Sequence, residues 1–170
     1  MSRQGISTVF CLLAGAALFL SACATHSSST PTPTGDLERA RRSLIEFFSL
    51  LSHGDFEGAA QLHAEDEDFY ETLRQNNPDI DPNDHAALLR AACEFQLRCM
   101  EIKTVIHIEQ LSDSMFRFIV EFANTDGSTF VLGPCCGADE TEMPPVSQFE
   151  YTVEKVEEQF LVHGSPVYVP

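Results

Sequence analysis

The chain has 170 residues, enough for one domain of ordinary size and too few for two. Its 26 acidic residues against 10 basic ones give a formal net charge of −16. Such a surface repels phosphate backbones and excludes nucleic acid as a partner, because that binding needs a basic patch. Hydrophobic residues make up 44%, so a core can form; with 13 Phe and no Trp its aromatic packing must rest mainly on phenylalanine.

The first segment, "MSRQGISTVFCLLAGAALFLSACATHSSSTPTPTG", carries three successive signals. Arg3 supplies a positive start, and Thr8 to Leu20 is an almost unbroken apolar run. That run is shorter than the roughly 20 residues a spanning helix requires. It ends on Leu20-Ser21-Ala22-Cys23. A branched apolar residue, two small residues and a cysteine resemble the bacterial lipobox, in which that cysteine is lipidated and becomes the first residue of the mature protein. The small residues let the chain enter a peptidase site, and the thiol forms the thioether to the lipid. The other reading is an ordinary signal peptide, or an uncleaved anchor, with Cys23 incidental. The lipobox resemblance implies a partner, the lipid bilayer, and an envelope location facing away from the cytoplasm. By analogy with diderm sorting, Ala24 permits export to an outer membrane; with one membrane, the protein would face outward from that one. Thr25 to Gly35 is Ser/Thr/Pro-rich and cannot bury surface to offset its ordering entropy, so it reads as a tether. The expected organisation is a signal peptide over 1–22, the lipidated Cys23 and tether over 23–35, and one domain over 36–170.

The domain opens with a helix. Asp36 is its expected cap, Leu37, Leu44, Phe47, Phe48 and Leu51 recur at helical spacing, and Gly54 is the stop. A short second helix follows Asp55, with Phe56, Ala59, Ala60 and Leu62 along one side. "EDEDFYETLRQNNP" adds a helical turn or two behind an acidic run, which reads as a solvated face before it reads as a dock for a basic partner. Asp81 before Pro82 predicts the start of the next helix, with Leu88, Leu89, Ala92 and Phe95 buried. The period then changes to two. Ile102, Thr104, Ile106 and Ile108 share one face, Phe116, Phe118, Val120 and Phe122 another, and Phe149, Tyr151 and Val153 a third. "NTDG" predicts a turn leading into a strand at "STFVLG", and "QFLVHGSPVYVP" a last strand broken near Gly164 and Pro166.

Helices first and antiparallel strands afterwards define an α+β chain with its helices on one face of a meander. Within it, "SLIEFFSLLSHGDFEGAAQL" is similar to the opening of nuclear transport factor 2-like domains, and "FEYTVEKVEEQFLVHGSPVYVP" looks like their closing hairpin. The resemblance implies N-terminal helices packed on a curved antiparallel sheet, a cone-shaped, cystatin-like arrangement. Because that fold hosts enzymes, carriers and adaptors alike, it leaves two functional expectations. One is a non-catalytic binding or accessory domain, taking an unknown hydrophobic ligand or an envelope protein. The alternative is an isomerase- or dehydratase-like enzyme using an apolar cone, with His63, Tyr70, His107, Glu121 and Tyr151 as candidates. No two of these sit at a spacing specific to such chemistry, so no catalytic residue is assigned. His107 alternates away from the Ile106/Ile108 face, and Tyr151 reads as a core aromatic.

Two further motifs fail on inspection. The segment from Asp79, "DIDPNDHAALLR", begins as a calcium loop does but places Asp84 and Arg90 where glycine and glutamate belong. "HGSP" at His163 lacks the second glycine of a nucleophile elbow. Four cysteines remain beyond Cys23: Cys93, Cys99, Cys135 and Cys136. An even number in an exported chain predicts disulfides. Adjacent cysteines chelate a tetrahedral ion awkwardly and Cys-x-x-Cys is absent, so neither a metal nor any other cofactor is expected. A continuous helix would hold Cys93 and Cys99 about 9 Å apart along its axis, too far for a bridge. Two cross-links from the Cys93/Cys99 region to the Cys135/Cys136 loop are therefore expected, with a strained Cys135–Cys136 bridge as the lesser alternative.

Overall fold

A computed structural model describes residues 33–168. The segment expected to be a signal peptide, Cys23 and most of the expected tether lie outside the described residues. Helix α1 (Pro33–His53) organises the domain. Its Ala40, Leu44, Phe47, Phe48 and Leu51 form one apolar stripe, each no more than 2% exposed. The helix begins at Pro33, whose fixed φ suits a first helical turn. Asp36 therefore lies inside that turn and is not its cap. The Asp36 carboxylate instead receives Lys155 Nζ at 2.7 Å and the Arg39 guanidinium. These bonds, Lys155's first, hold its pKa below the usual carboxylate value. Gly54, at φ +79°, ends α1 with its N–H on the Leu51 carbonyl, and Asp55 N–H closes onto Leu50.

The three following helices each have an aspartate cap, which satisfies a first-turn N–H that has no partner within the helix. Asp55 caps α2 (Phe56–Leu62), Asp66 caps α3 (Glu67–Asn76), and Asp84 caps α4 (His85–Phe95). The expected cap at Asp81 is thus displaced by three residues. Asp81 Oδ1 accepts the Asn83 N–H at 2.9 Å, closing a local turn that includes Pro82, and the helix waits for the next acceptor at Asp84.

Four strands, β2 (Ile102–Gln110), β3 (Met115–Phe122), β4 (Phe149–Val156) and β5 (Gln159–His163), form an antiparallel meander in that order. The short β1 (Leu97–Arg98) and β6 (Val167–Tyr168) pair separately. The fold is α+β, four helices packed against a curved antiparallel sheet, and α1 touches all four strands of the meander. Phe116, Phe118, Val120 and Phe122 of β3 are all fully buried, as their alternation requires. On β2 the alternation fails. Register shifts between Ile102 and Thr104 and between Val105 and His107 insert extra residues opposite β3. Each insertion reverses the facing of the residues beyond it, so Val105 packs against the core while Ile106 is 46% exposed. The "NTDG" turn forms, with Gly127 at φ +80°, but Thr129 to Leu132 makes only isolated bridges and no strand.

The expected cross-links between helix end and loop are not formed. Cys93 is bonded to Cys99, their Cα atoms 5.6 Å apart. The 9 Å separation assumed a helix running through both; α4 stops at Phe95, and the chain turns back through Gln96 into β1. The bridge closes a short loop at the helix exit. A Cys93→Ser/Cys99→Ser double variant should lose on the order of 2 kcal/mol of unfolding free energy in guanidinium titrations, with little change in slope.

Candidate functional site

Of the five residues weighed for catalysis, the structure brings together two. His63 follows the last turn of α2 and is carried onto the edge of β5, where Ala64 N–H donates to the Val162 carbonyl at 2.9 Å. Its Nε2 lies 2.9 Å from the Gly164 carbonyl and is the protonated nitrogen, since that carbonyl can only accept. Gly164 holds φ +98°, a conformation that a side chain strains, and this turn aims its carbonyl at His63. The imidazole stacks on Phe47 at 5.3 Å and meets the edge of Tyr70 at 5.4 Å.

Tyr70, on α3, is 1% exposed, with its other neighbour His85 stacked on it at 4.0 Å. Asp84 fixes His85 as the first residue of α4, and Arg74 reaches over the tyrosine ring. Among the described residues neither His63 Nδ1 nor the Tyr70 hydroxyl, both buried, has a hydrogen-bond partner. A cavity of about 310 Å³ opens beside Tyr70, lined also by Glu65, Glu67, Arg74, Asn83 and His85, and His63 lies behind the tyrosine ring. Burial lowers the His63 pKa more than the Gly164 hydrogen bond raises it. Burial, aided by the Glu65 charge, raises that of Tyr70. At neutral pH the pair is thus an uncharged imidazole offering Nδ1 as acceptor and a protonated phenol offering a donor.

The other three candidates do not join them. His107 is exposed on β2, and Glu121 faces away from the buried β3 phenylalanines. Tyr151 is packed edge-on against Phe48 at 4.8 Å, a core aromatic. His85 belongs to no motif in the sequence; its one signal is that it directly follows Asp84, the cap of α4. A larger open cavity of about 520 Å³, lined in part by Cys99, Met100 and Phe130, lies beside Ser52 near the C-terminal end of α1. Groups of three or more His, Cys, Asp or Glu side chains placed to hold a metal ion are absent among the described residues.

No protein-family model matches the chain, and no curated sequence matches it significantly.

The buried histidine makes stability depend on pH. Its folded pKa lies below the ordinary 6.5, so the unfolded chain takes up a proton that the folded protein resists. Stability is full above that value and falls as pH drops through it. His63→Gln keeps a donor for the Gly164 carbonyl and removes the titration. In urea unfolding between pH 8 and pH 5.5, wild type should lose more stability than the variant; parallel curves would contradict this.

Proposed function

We propose that the chain is a lipid-anchored envelope protein whose folded part is a non-catalytic binding or accessory domain of nuclear transport factor 2-like type. Support for the anchor comes from Leu20-Ser21-Ala22-Cys23 directly after an apolar run. Among the described residues no helix is long and apolar enough to cross a membrane. The observation that carries the non-catalytic reading is the filled sheet face. Phe47 and Phe48 of α1 meet Phe116, Phe118 and Phe122 of β3 in one core, each fully buried. An enzyme of that fold needs an open cone with a polar group at its base, and the buried phenylalanines on this face support the non-catalytic reading instead.

A second reading, a small-molecule isomerase- or dehydratase-like enzyme, draws on the unpartnered polar atoms of His63 and Tyr70, the latter at the wall of a cavity. An uncharged imidazole beside a protonated phenol is a pair able to transfer a proton. The cavity is lined by charged groups, unlike the apolar cone that this chemistry was expected to use.

The anchor is tested by growth with an alkyne-bearing palmitate analogue. The wild-type chain should take up label and sediment with membranes, and Cys23→Ser should lose the label and retain its apolar leader. Labelling that survives Cys23→Ser would overturn the lipoprotein reading. Native mass spectrometry of the same material should resolve a bound small ligand or protein partner, identifying which kind of binding the domain performs.

A further inference from the structure

The bridge between Leu132 and Val146, with hydrogen bonds of 2.8 and 2.9 Å, closes the base of a loop that holds Cys135 and Cys136. Their Sγ atoms are 2.7 Å apart, Cys136 exposed and Cys135 half-buried. The backbone is bent to present them: Cys136 adopts φ +60° and Gly137 φ +90°, and Ala138 N–H closes the turn on the Cys135 carbonyl at 3.0 Å. A left-handed conformation at a non-glycine residue costs about 1 kcal/mol or more, and here the turn imposes it.

This pair is poorly suited to zinc. Tetrahedral coordination with bonds near 2.3 Å would spread two sulfurs to about 3.8 Å and would need further ligands. Other described cysteines are unavailable to it, because Cys93 and Cys99 are bonded to each other. We propose that Cys135 and Cys136 form a reversible dithiol–disulfide couple, a modification site that exchanges with small-molecule disulfides of the glutathione class. The couple is independent of the anchor and of the binding role proposed above.

Cys135's thiol is pushed up in pKa by the hydrogen bond with the Cys136 sulfur, and burial adds to this. Cys136, the more exposed of the two, therefore attacks first. Its thiolate bonds to one sulfur of the oxidant and displaces the other as a thiolate. Cys135, deprotonated in turn, attacks the Cys136 sulfur of this mixed disulfide, closes the Cys135–Cys136 bond and releases the second thiol. Two protein S–H bonds become one S–S bond, and the oxidant's S–S bond becomes two thiols; two electrons pass to the oxidant. Neighbouring Cα atoms stand about 3.8 Å apart, less than the roughly 4.4 Å at which ordinary disulfides begin. The closed ring is strained by that adjacency and is easily reduced, whereas Cys93–Cys99, at 5.6 Å, lies in the ordinary range.

The test equilibrates the full-length protein, in detergent, with graded mixtures of reduced and oxidised glutathione, followed by acid quenching, alkylation and peptide mass mapping. Under oxidising mixtures the Cys135–Cys136 peptide should lose two hydrogens and resist alkylation. It should reopen at a ratio of reduced to oxidised glutathione at least ~10-fold lower than Cys93–Cys99 needs. Cys135→Ser should leave glutathione trapped on Cys136, an adduct that wild type does not accumulate. The proposal fails if wild type accumulates that adduct, if both thiols stay open to alkylation in every mixture, or if either pairs with Cys93 or Cys99. The wild-type measurement decides the matter even if the variant does not fold.

Discussion

The contact on which the rest depends is the aromatic seam between α1 and the inner face of the sheet. Phe48 meets Phe122 and Tyr151 edge-on at 4.9 and 4.8 Å, and Phe47 packs against Phe48 at 5.0 Å. Edge-to-face pairs add about 0.5–1.5 kcal/mol to the burial each ring already contributes. Without tryptophan, no single large ring fills the space; several medium ones interlock. This seam fixes how α1 lies across the strands. It thereby sets where α2 delivers His63 and where Asp36 meets Lys155.

Three polar ties flank the seam. Asp36, in the first turn of α1, holds Lys155 from β4 across the helix–sheet boundary, and Ser43 Oγ donates to the Phe160 carbonyl of β5 at 2.6 Å. Farther along, His63 ties the exit of α2 to the Gly164 turn. Among the described residues the buried polar atoms left over are His63 Nδ1, the Tyr70 hydroxyl and Arg117 Nε, and the first two carry a desolvation cost of roughly 1–3 kcal/mol each. Of these, Tyr70 on α3 faces a cavity with both charge signs on its walls.

Much of this is legible in the sequence, for identifiable reasons. The α1 stripe and the β3 alternation are periodic over enough residues for period alone to assign faces, and the cap at Asp55 and the stop at Gly54 are local signals. The features that escape sequence reading depend on long-range fit. Ile106 faces inward by alternation alone, but the bulges in β2 are set by pairing with β3 and leave no mark in composition. Asp81 and Asp84 are both capable caps, and the turn around Pro82 decides between them. The cysteine pairing turns on one assumption, that α4 continues past Phe95, and the helix ends there instead. His63, at the exit of α2, and Tyr70, on α3, stand on either side of the Asp66 cap and meet through the turn between those helices, and the packing of α3 against α4 adds His85.

The central claim is that, among the described residues, the fully buried phenylalanines of α1 and β3 fill the space between helix and sheet. Xenon NMR on wild type and Phe118→Ala tests it most directly, because xenon enters dry apolar cavities that side chains leave empty. The account predicts no saturable xenon site in this core for wild type and one in the variant, at the position the ring vacates. A saturable site between α1 and β3 in the wild-type protein would contradict it.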